Sequence, residues 1–116
     1  MQVQKVNDNT AFGVKISPHF HQVVQNHYNY NQVPNKLKRM YEFNQKIEQY
    51  SNFGFDNYSL DYEQKFIKGR RQHLLVAITN DGNKKVEIFN RNTLAKIIDS
   101  FMRMTKHEFS TKFKNQ

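Results

Sequence analysis

The chain has no cysteine and no tryptophan, only two prolines and four glycines in 116 residues, and no aliphatic run longer than the five residues Leu74-Leu75-Val76-Ala77-Ile78. Without cysteine there is no disulfide framework, no thiolate metal site and no cysteine nucleophile. The redox compartment stays open, because a cysteine-free chain suits either environment. The aliphatic run falls far short of the ~20 apolar residues that a membrane-spanning helix needs. The stretch Met1-Gln2-Val3-Gln4-Lys5-Val6-Asn7-Asp8 lacks the apolar centre of a secretory signal. A soluble, cytoplasmic chain with no transmembrane segment is the expectation. No Gly/Ser-rich or Pro-rich linker and no repeat divides it, so residues 1–116 read as a single domain with one core.

Acidic residues are also few, ten Asp and Glu against eighteen Lys and Arg, for a formal net charge of +8. Seven of the basic residues, Lys65, Lys68, Arg70, Arg71, Lys84, Lys85 and Arg91, lie in 65–91, where only Asp81 and Glu87 oppose them. The preceding stretch holds Asp56, Asp61 and Glu63 with no Lys or Arg from 50 to 64. Such polarity implies a basic surface for an anionic partner, a nucleic acid or an acidic protein, unless folding sets the two segments together as neutralising neighbours. The candidate anion-binding residues are Lys68, Arg70, Arg71, Lys84, Lys85 and Arg91. Phe89 and Tyr30 are the aromatics that would stack bases beside them.

The spacing predicts an α+β domain of order β-α-α-β-β-β-α, a mainly antiparallel sheet with its helices packed on one face. Val3, Phe12, Val14 and Ile16 mark one or two short strands. Ser17-Pro18 caps a helix carrying Phe20, Val23, Val24 and His27 on one side. Pro34 opens a second helix with the stripe Leu37, Met40, Tyr41, Asn44, Ile47 and Tyr50. From 58 to 66 the period is two, with Tyr58, Leu60, Tyr62 and Phe66 on one face. Residues 72–79 are apolar on both faces, as in a central strand, and 84–90 return with Val86 and Ile88. Thr93 or Asn92 caps a helix with Leu94, Ile97, Ile98 and Phe101.

The turn at Asn80-Asp81-Gly82-Asn83 decides which face of the central strand is inside. A two-residue Asp81-Gly82 loop sets Val86 opposite Ala77. A three-residue loop with Gly82 left-handed sets Val86 opposite Val76 and Ile88 opposite Leu74. The three-residue loop is preferred, because it gathers the longer set Leu74, Val76 and Ile78 on the covered side. Leu75 and Ala77 then need a cover from the N-terminal segment, the tail or another chain, and a homodimer is one way to provide it. Residues 107–116 either continue as helix or form an extended, flexible tail. Phe109 and Phe113, four apart, are the candidate protein-binding pair of an adaptor that presents them on a helix.

His19, His21 and His27 do not make a metal site, since the first two point about 200° apart on a helix. No cofactor or metal is expected. His73 with Arg70, Arg71, Tyr62 and Glu63 supplies the residue types of a metal-independent ribonuclease, a base and phosphate-stabilising cations. The element order is similar to that of the small RelE/ParE toxins, which include ribosome-dependent RNA-cleaving members. The second half resembles the helix, three strands, helix order of double-stranded RNA-binding domains. That family's last helix opens with a lysine-rich stretch, whereas this one reads Asn92-Thr93-Leu94-Ala95-Lys96 with one lysine. The leading expectation is a non-enzymatic module binding RNA or DNA; the alternatives are the adaptor and the ribonuclease.

Overall fold

A computed structural model describes residues 13–31 and 33–114, so Val3 and Phe12 lie outside the described residues. Along the chain run β1 (Lys15–Ile16), α1 (Pro18–Tyr30), α2 (Lys36–Tyr50), β2 (Tyr58–Ile67), β3 (Arg70–Thr79), β4 (Lys85–Arg91), α3 (Leu94–Arg103) and α4 (Lys106–Lys114). The strands form one sheet in the order β1-β2-β3-β4. β2, β3 and β4 are antiparallel, whereas β1 runs parallel to β2. The intervening α1 and α2 provide the long crossover that a parallel pair requires. The class is α+β, with a mixed sheet and a second C-terminal helix.

Local chemistry explains the helix starts. Ser17 Oγ accepts the Phe20 N–H at 2.9 Å, and Pro18 takes the first helical position. α3 is capped by Thr93, whose side chain accepts the Lys96 N–H at 3.1 Å. α4 opens with a reciprocal capping box: the Thr105 N–H donates to Glu108 Oε1 at 3.1 Å, and the Glu108 N–H to Thr105 Oγ1 at 3.2 Å. α2 begins after Asn35 in a left-handed conformation (φ 58°), and its buried residues are Phe43 and Tyr50, with Met40 and Ile47 partly buried. The expected stripe is corrected: Leu37 is 82% and Tyr41 63% exposed. Phe43 draws the helix round, because its ring packs against Phe20 and Phe101.

The core lies between the helices and one face of the sheet. Phe20, Phe43, Tyr50, Leu60, Leu75, Ile97, Phe101 and Phe109 have no exposed surface. Gly13 admits the N-terminal strand to this core by close approach, since a Cβ there would collide with the main chain of Tyr50 and Ser51. Gly13→Ala should therefore cost about 1–3 kcal/mol, as overpacking does. Urea denaturation checks it; a cost within ~0.5 kcal/mol would mean that the backbones do not meet there.

The expected hairpin register is corrected as well. Ile78 pairs with Lys85 and Ala77 with Val86, not Val76 with Val86. Thr79 and Lys84 close the turn: the Thr79 N–H donates to Lys84 O at 3.0 Å, and the Lys84 N–H to Thr79 Oγ1 at 3.0 Å. Inside it, Asp81 Oδ1 accepts the Asn83 N–H at 2.9 Å and the Thr79 hydroxyl at 2.7 Å. A register irregularity between Leu75 and Val76 then leaves Ile88 as an extra residue on β4. Val86, Ile88 and Phe89 all join the core as a result, while Glu87 stays outside.

This register turns Leu75 and Ala77 toward the helices and Leu74, Val76 and Ile78 to the other face, the reverse of the expectation. The partners on β2 decide it, because Leu75 and Ala77 stand opposite Tyr62 and Leu60, which the helices cover. The argument for a dimer from an uncovered Leu75–Ala77 pair is thereby removed. On the far face Leu74 and Val76 are 4% and 2% exposed. Two ion pairs run diagonally from β2 to β4 across them, Glu63 to Lys85 at 3.1 Å over Val76 and Lys65 to Glu87 at 3.8 Å over Leu74. The acidic and basic segments do meet as neutralising neighbours there.

Candidate functional site

β2 and β3 are each ten residues long, and their joined end outruns the helices. Residues 64–71 are all exposed, whereas the other half of the same hairpin is largely buried. Phe66 continues the core-facing alternation of Tyr58, Leu60 and Tyr62, yet it is 65% exposed because no helix reaches it. Its cross-strand neighbour is Arg71, whose guanidinium lies 5.1 Å from the ring centroid. The turn beyond is Lys68-Gly69, with φ of 53° and 78°. Positive φ at both central residues is the type I′ pattern, for which Asn-Gly is the favoured pair. Lysine at the first position holds a strained backbone, a feature that clusters at functional sites.

The six candidate cations do not form one cluster. Lys68, Arg70 and Arg71 crowd the projecting tip, while Lys84 and Lys85 lie at the opposite end of β3, about 30 Å away at ~3.3 Å per residue. Lys85 is bound to Glu63. Arg91 is turned inward, its Nε donating to Ser100 Oγ at 3.0 Å and its guanidinium 4.7 Å from the Phe89 ring centroid. Among the described residues, Lys68, Arg70, Arg71 and Lys84 have no acidic partner within 4.0 Å. Phe89 is corrected as a base-stacking residue, since it is 7% exposed with Arg91 and Lys112 against its ring. Tyr30 is 81% exposed at the end of α1.

The tail pair is equally turned inward. Phe109 is fully buried, and Phe113 stacks on Phe55 with centroids 4.3 Å apart. The exposed pair that an adaptor needs is not there, because α4 folds back to complete the aromatic core.

Beside the projecting tip, a cleft of about 350 Å³ opens between α1 and β2, lined by His19, Asn26, His27, Tyr30, Tyr62 and Gln64 among others. Tyr62 anchors a polar chain at its edge: Gln64 Nε2 donates to the Tyr62 hydroxyl at 2.8 Å, and that oxygen lies 2.5 Å from His73 Nδ1. Burial raises the Tyr62 hydroxyl above its ordinary pKa, against the lowering effects of the Gln64 bond and Arg71. Burial, reinforced by the Arg71 charge, holds His73 below the ordinary imidazole range. His19 Nδ1 lies 3.0 Å from Asp61 Oδ1, and its ring centroid is 6.4 Å from that of Tyr62. Asp61 also accepts the Ser17 hydroxyl at 2.7 Å and the Tyr62 N–H at 2.7 Å.

Of the proposed ribonuclease set, Tyr62, His73 and Arg71 share the helix-side face of the hairpin, whereas Glu63 and Arg70 alternate to the other. His19 and Phe66 were missed. The exposure of Phe66 was legible in principle, since it lies two residues before a tight turn at the end of a ten-residue strand. The pairing of His19 with Asp61, 42 residues away, has no local signal. Among the described residues no group of three His, Cys, Asp or Glu is placed to hold a metal ion, and no helix is long and apolar enough to cross a membrane.

Fold and site together define a small α+β protein with a projecting cationic hairpin. Comparison with protein-family models, with curated proteins and with solved structures finds no match. The two resemblances noted above remain resemblances of element order.

Proposed function

We propose that this protein binds single-stranded nucleic acid through the tip of the β2–β3 hairpin. The observation that carries the reading is the exposed Phe66 ring flanked by Lys68, Arg70 and Arg71 on a strand end that no helix covers. Cations attract and position phosphates, and a ring with a free face stacks on any base. An acidic protein would use the charges but not the ring, which is why nucleic acid is the partner chosen. Tyr30 and the adjoining cleft extend the surface along α1.

The test is binding of labelled single-stranded RNA and DNA over a salt series. In the triple variant Lys68→Asn/Arg70→Gln/Arg71→Gln the slope of log K against log salt should fall by about 2, at about 0.7 per single-strand phosphate contact. Asn at the turn suits its left-handed backbone, so charge is lost without weakening the hairpin. Phe66→Ala should weaken binding by about 1–3 kcal/mol, roughly 5- to 150-fold. Lys84→Gln, at the far end, should change little. Equal losses from Lys84→Gln and the tip variant would overturn the assignment to the tip. Binding to an acidic peptide that is indifferent to Phe66→Ala would replace the nucleic acid by a protein partner.

A further inference from the structure

The cleft between α1 and β2 differs in kind from the cationic tip beside it. Among the described residues its lining holds no Lys, Arg, Asp or Glu. Val23 and Leu94 give it partly buried apolar surface, and Tyr30 and Tyr62 stand among its walls. The remaining lining groups are amides and imidazoles, each tied by one atom and leaving another without a hydrogen bond among the described residues.

The bonds identify those unspent atoms. Asn31 Nδ2 donates to His27 O at 2.9 Å and to His27 Nδ1 at 3.1 Å, which leaves Asn31 Oδ1 as an acceptor. A ring nitrogen that accepts carries no proton, so neutral His27 presents a donor at Nε2. Burial favours that neutral form, holding the His27 pKa below the ordinary imidazole value. Asn26 Oδ1 accepts from Gln22 Nε2 at 2.9 Å, which leaves the Asn26 amide hydrogens. Gln64 Nε2 donates to the Tyr62 hydroxyl at 2.8 Å, which leaves Gln64 Oε1 as a second acceptor.

We infer that this cleft takes one unpaired nucleobase of the bound strand and reads its hydrogen-bonding edge. The inference rests on the nucleic-acid reading and deepens it, giving the phosphates to the tip and a base to the cleft. A phosphate would meet no Lys or Arg in this lining, and a purely apolar group would desolvate the amides without replacing their bonds to water. A nucleobase has what the lining asks for, flat apolar faces and an edge that both donates and accepts. Amides suit such an edge because one side chain offers a donor and an acceptor together. At about 350 Å³ the cleft lies at the small end of the roughly 300–1,000 Å³ range of ligand sites, in keeping with a single base. Gln64 and Phe66 alternate onto the same face of β2 about 7 Å apart. A base stacked on Phe66 and one in the cleft therefore belong to a single short stretch of strand.

The experiment measures binding of single-stranded homo-oligomers of A, C, G and T of equal length, over a salt series. The wild-type protein should favour one base over the least favoured by roughly 5- to 150-fold at fixed salt. Stacking on Phe66 alone gives only modest preferences. Asn26→Leu and Gln64→Leu, on different elements, should each shrink the preference by about 5-fold or more. Thermal melting and the slope of log K against log salt, which the tip cations set, should stay as in the wild type. Phe66→Ala should weaken binding of all four oligomers and keep their ranking. Equal affinity for all four, or a preference that survives in both amide variants, overturns the base site and leaves the tip reading intact. A preference lost together with a flattened salt slope would mean that the amides act through the shape of the tip, and overturns the base site as well. Absence of binding to every oligomer overturns both readings.

Discussion

Phe101→Ala is expected to lose about 3–5 kcal/mol of folding stability, the range for removing a buried aromatic ring. The ring has no exposed surface and sits where α1, α2 and α3 meet: its centroid is 5.3 Å from Phe20, 5.2 Å from Phe43 and 4.5 Å from Tyr50, with the Tyr50 ring stacked at 16°. Truncation opens a void bounded by three other rings, which cannot all collapse into it without leaving their own rotamers. For a domain whose total stability is about 5–15 kcal/mol, such a loss approaches the whole margin. Chemical denaturation at constant m-value measures it. Tyr50→Phe is the companion, since it keeps the ring and removes only the hydroxyl that donates to Phe101 O at 2.9 Å. Its loss should be smaller, about 1–3 kcal/mol for an unsatisfied buried carbonyl. A Phe101→Ala loss below ~1 kcal/mol would mean that the three helices do not converge on this residue.

Phe109→Ala is expected to be nearly as damaging, again about 3–5 kcal/mol, and it bears on function as well as on stability. The ring is fully buried, with centroids 5.9 Å from Tyr50, 5.8 Å from Phe53, 5.3 Å from Phe55 and 4.9 Å from Phe113. A tail that hung free as a ligand for another protein would tolerate the substitution within about 0.5 kcal/mol, as exposed positions do. That small effect would undo the docking of α4 and restore the adaptor reading. Phe113→Ala should cost less than Phe109→Ala, because Phe113 lies at the margin of the cluster.

The candidate surface was partly legible. Charge counting singled out the basic hairpin, and three of its six chosen cations do gather at one tip. The others lie apart from it for reasons outside composition. Lys85 met Glu63 across the sheet, Arg91 met Ser100 on α3, and Lys84 lies at the far end of a ten-residue strand. The aromatic partner was misassigned because exposure depends on where the helices stop. Phe89 is covered by the C-terminal half of the chain and Phe66 is not.

Sequence by itself determined the α+β class, the helix starts at Ser17-Pro18 and at Asn92 or Thr93, the strand periods and the order from β1 to α3. Each of these follows from interactions within a few residues: a cap and its N–H, a period of two, a turn rich in Asn and Gly. Only the tertiary structure decided which face of β3 is inside, where α2 turns its stripe, that α4 docks, and that His19 meets Asp61. Leu74-Leu75-Val76-Ala77-Ile78 is apolar on both sides, so its own pattern does not distinguish them. The choice falls to Tyr62 and Leu60 across the ladder and to the turn bonds of Thr79, Asp81 and Lys84. A one-residue shift of register exchanges every side chain between core and solvent, and its energy comes from packing partners far away in the chain.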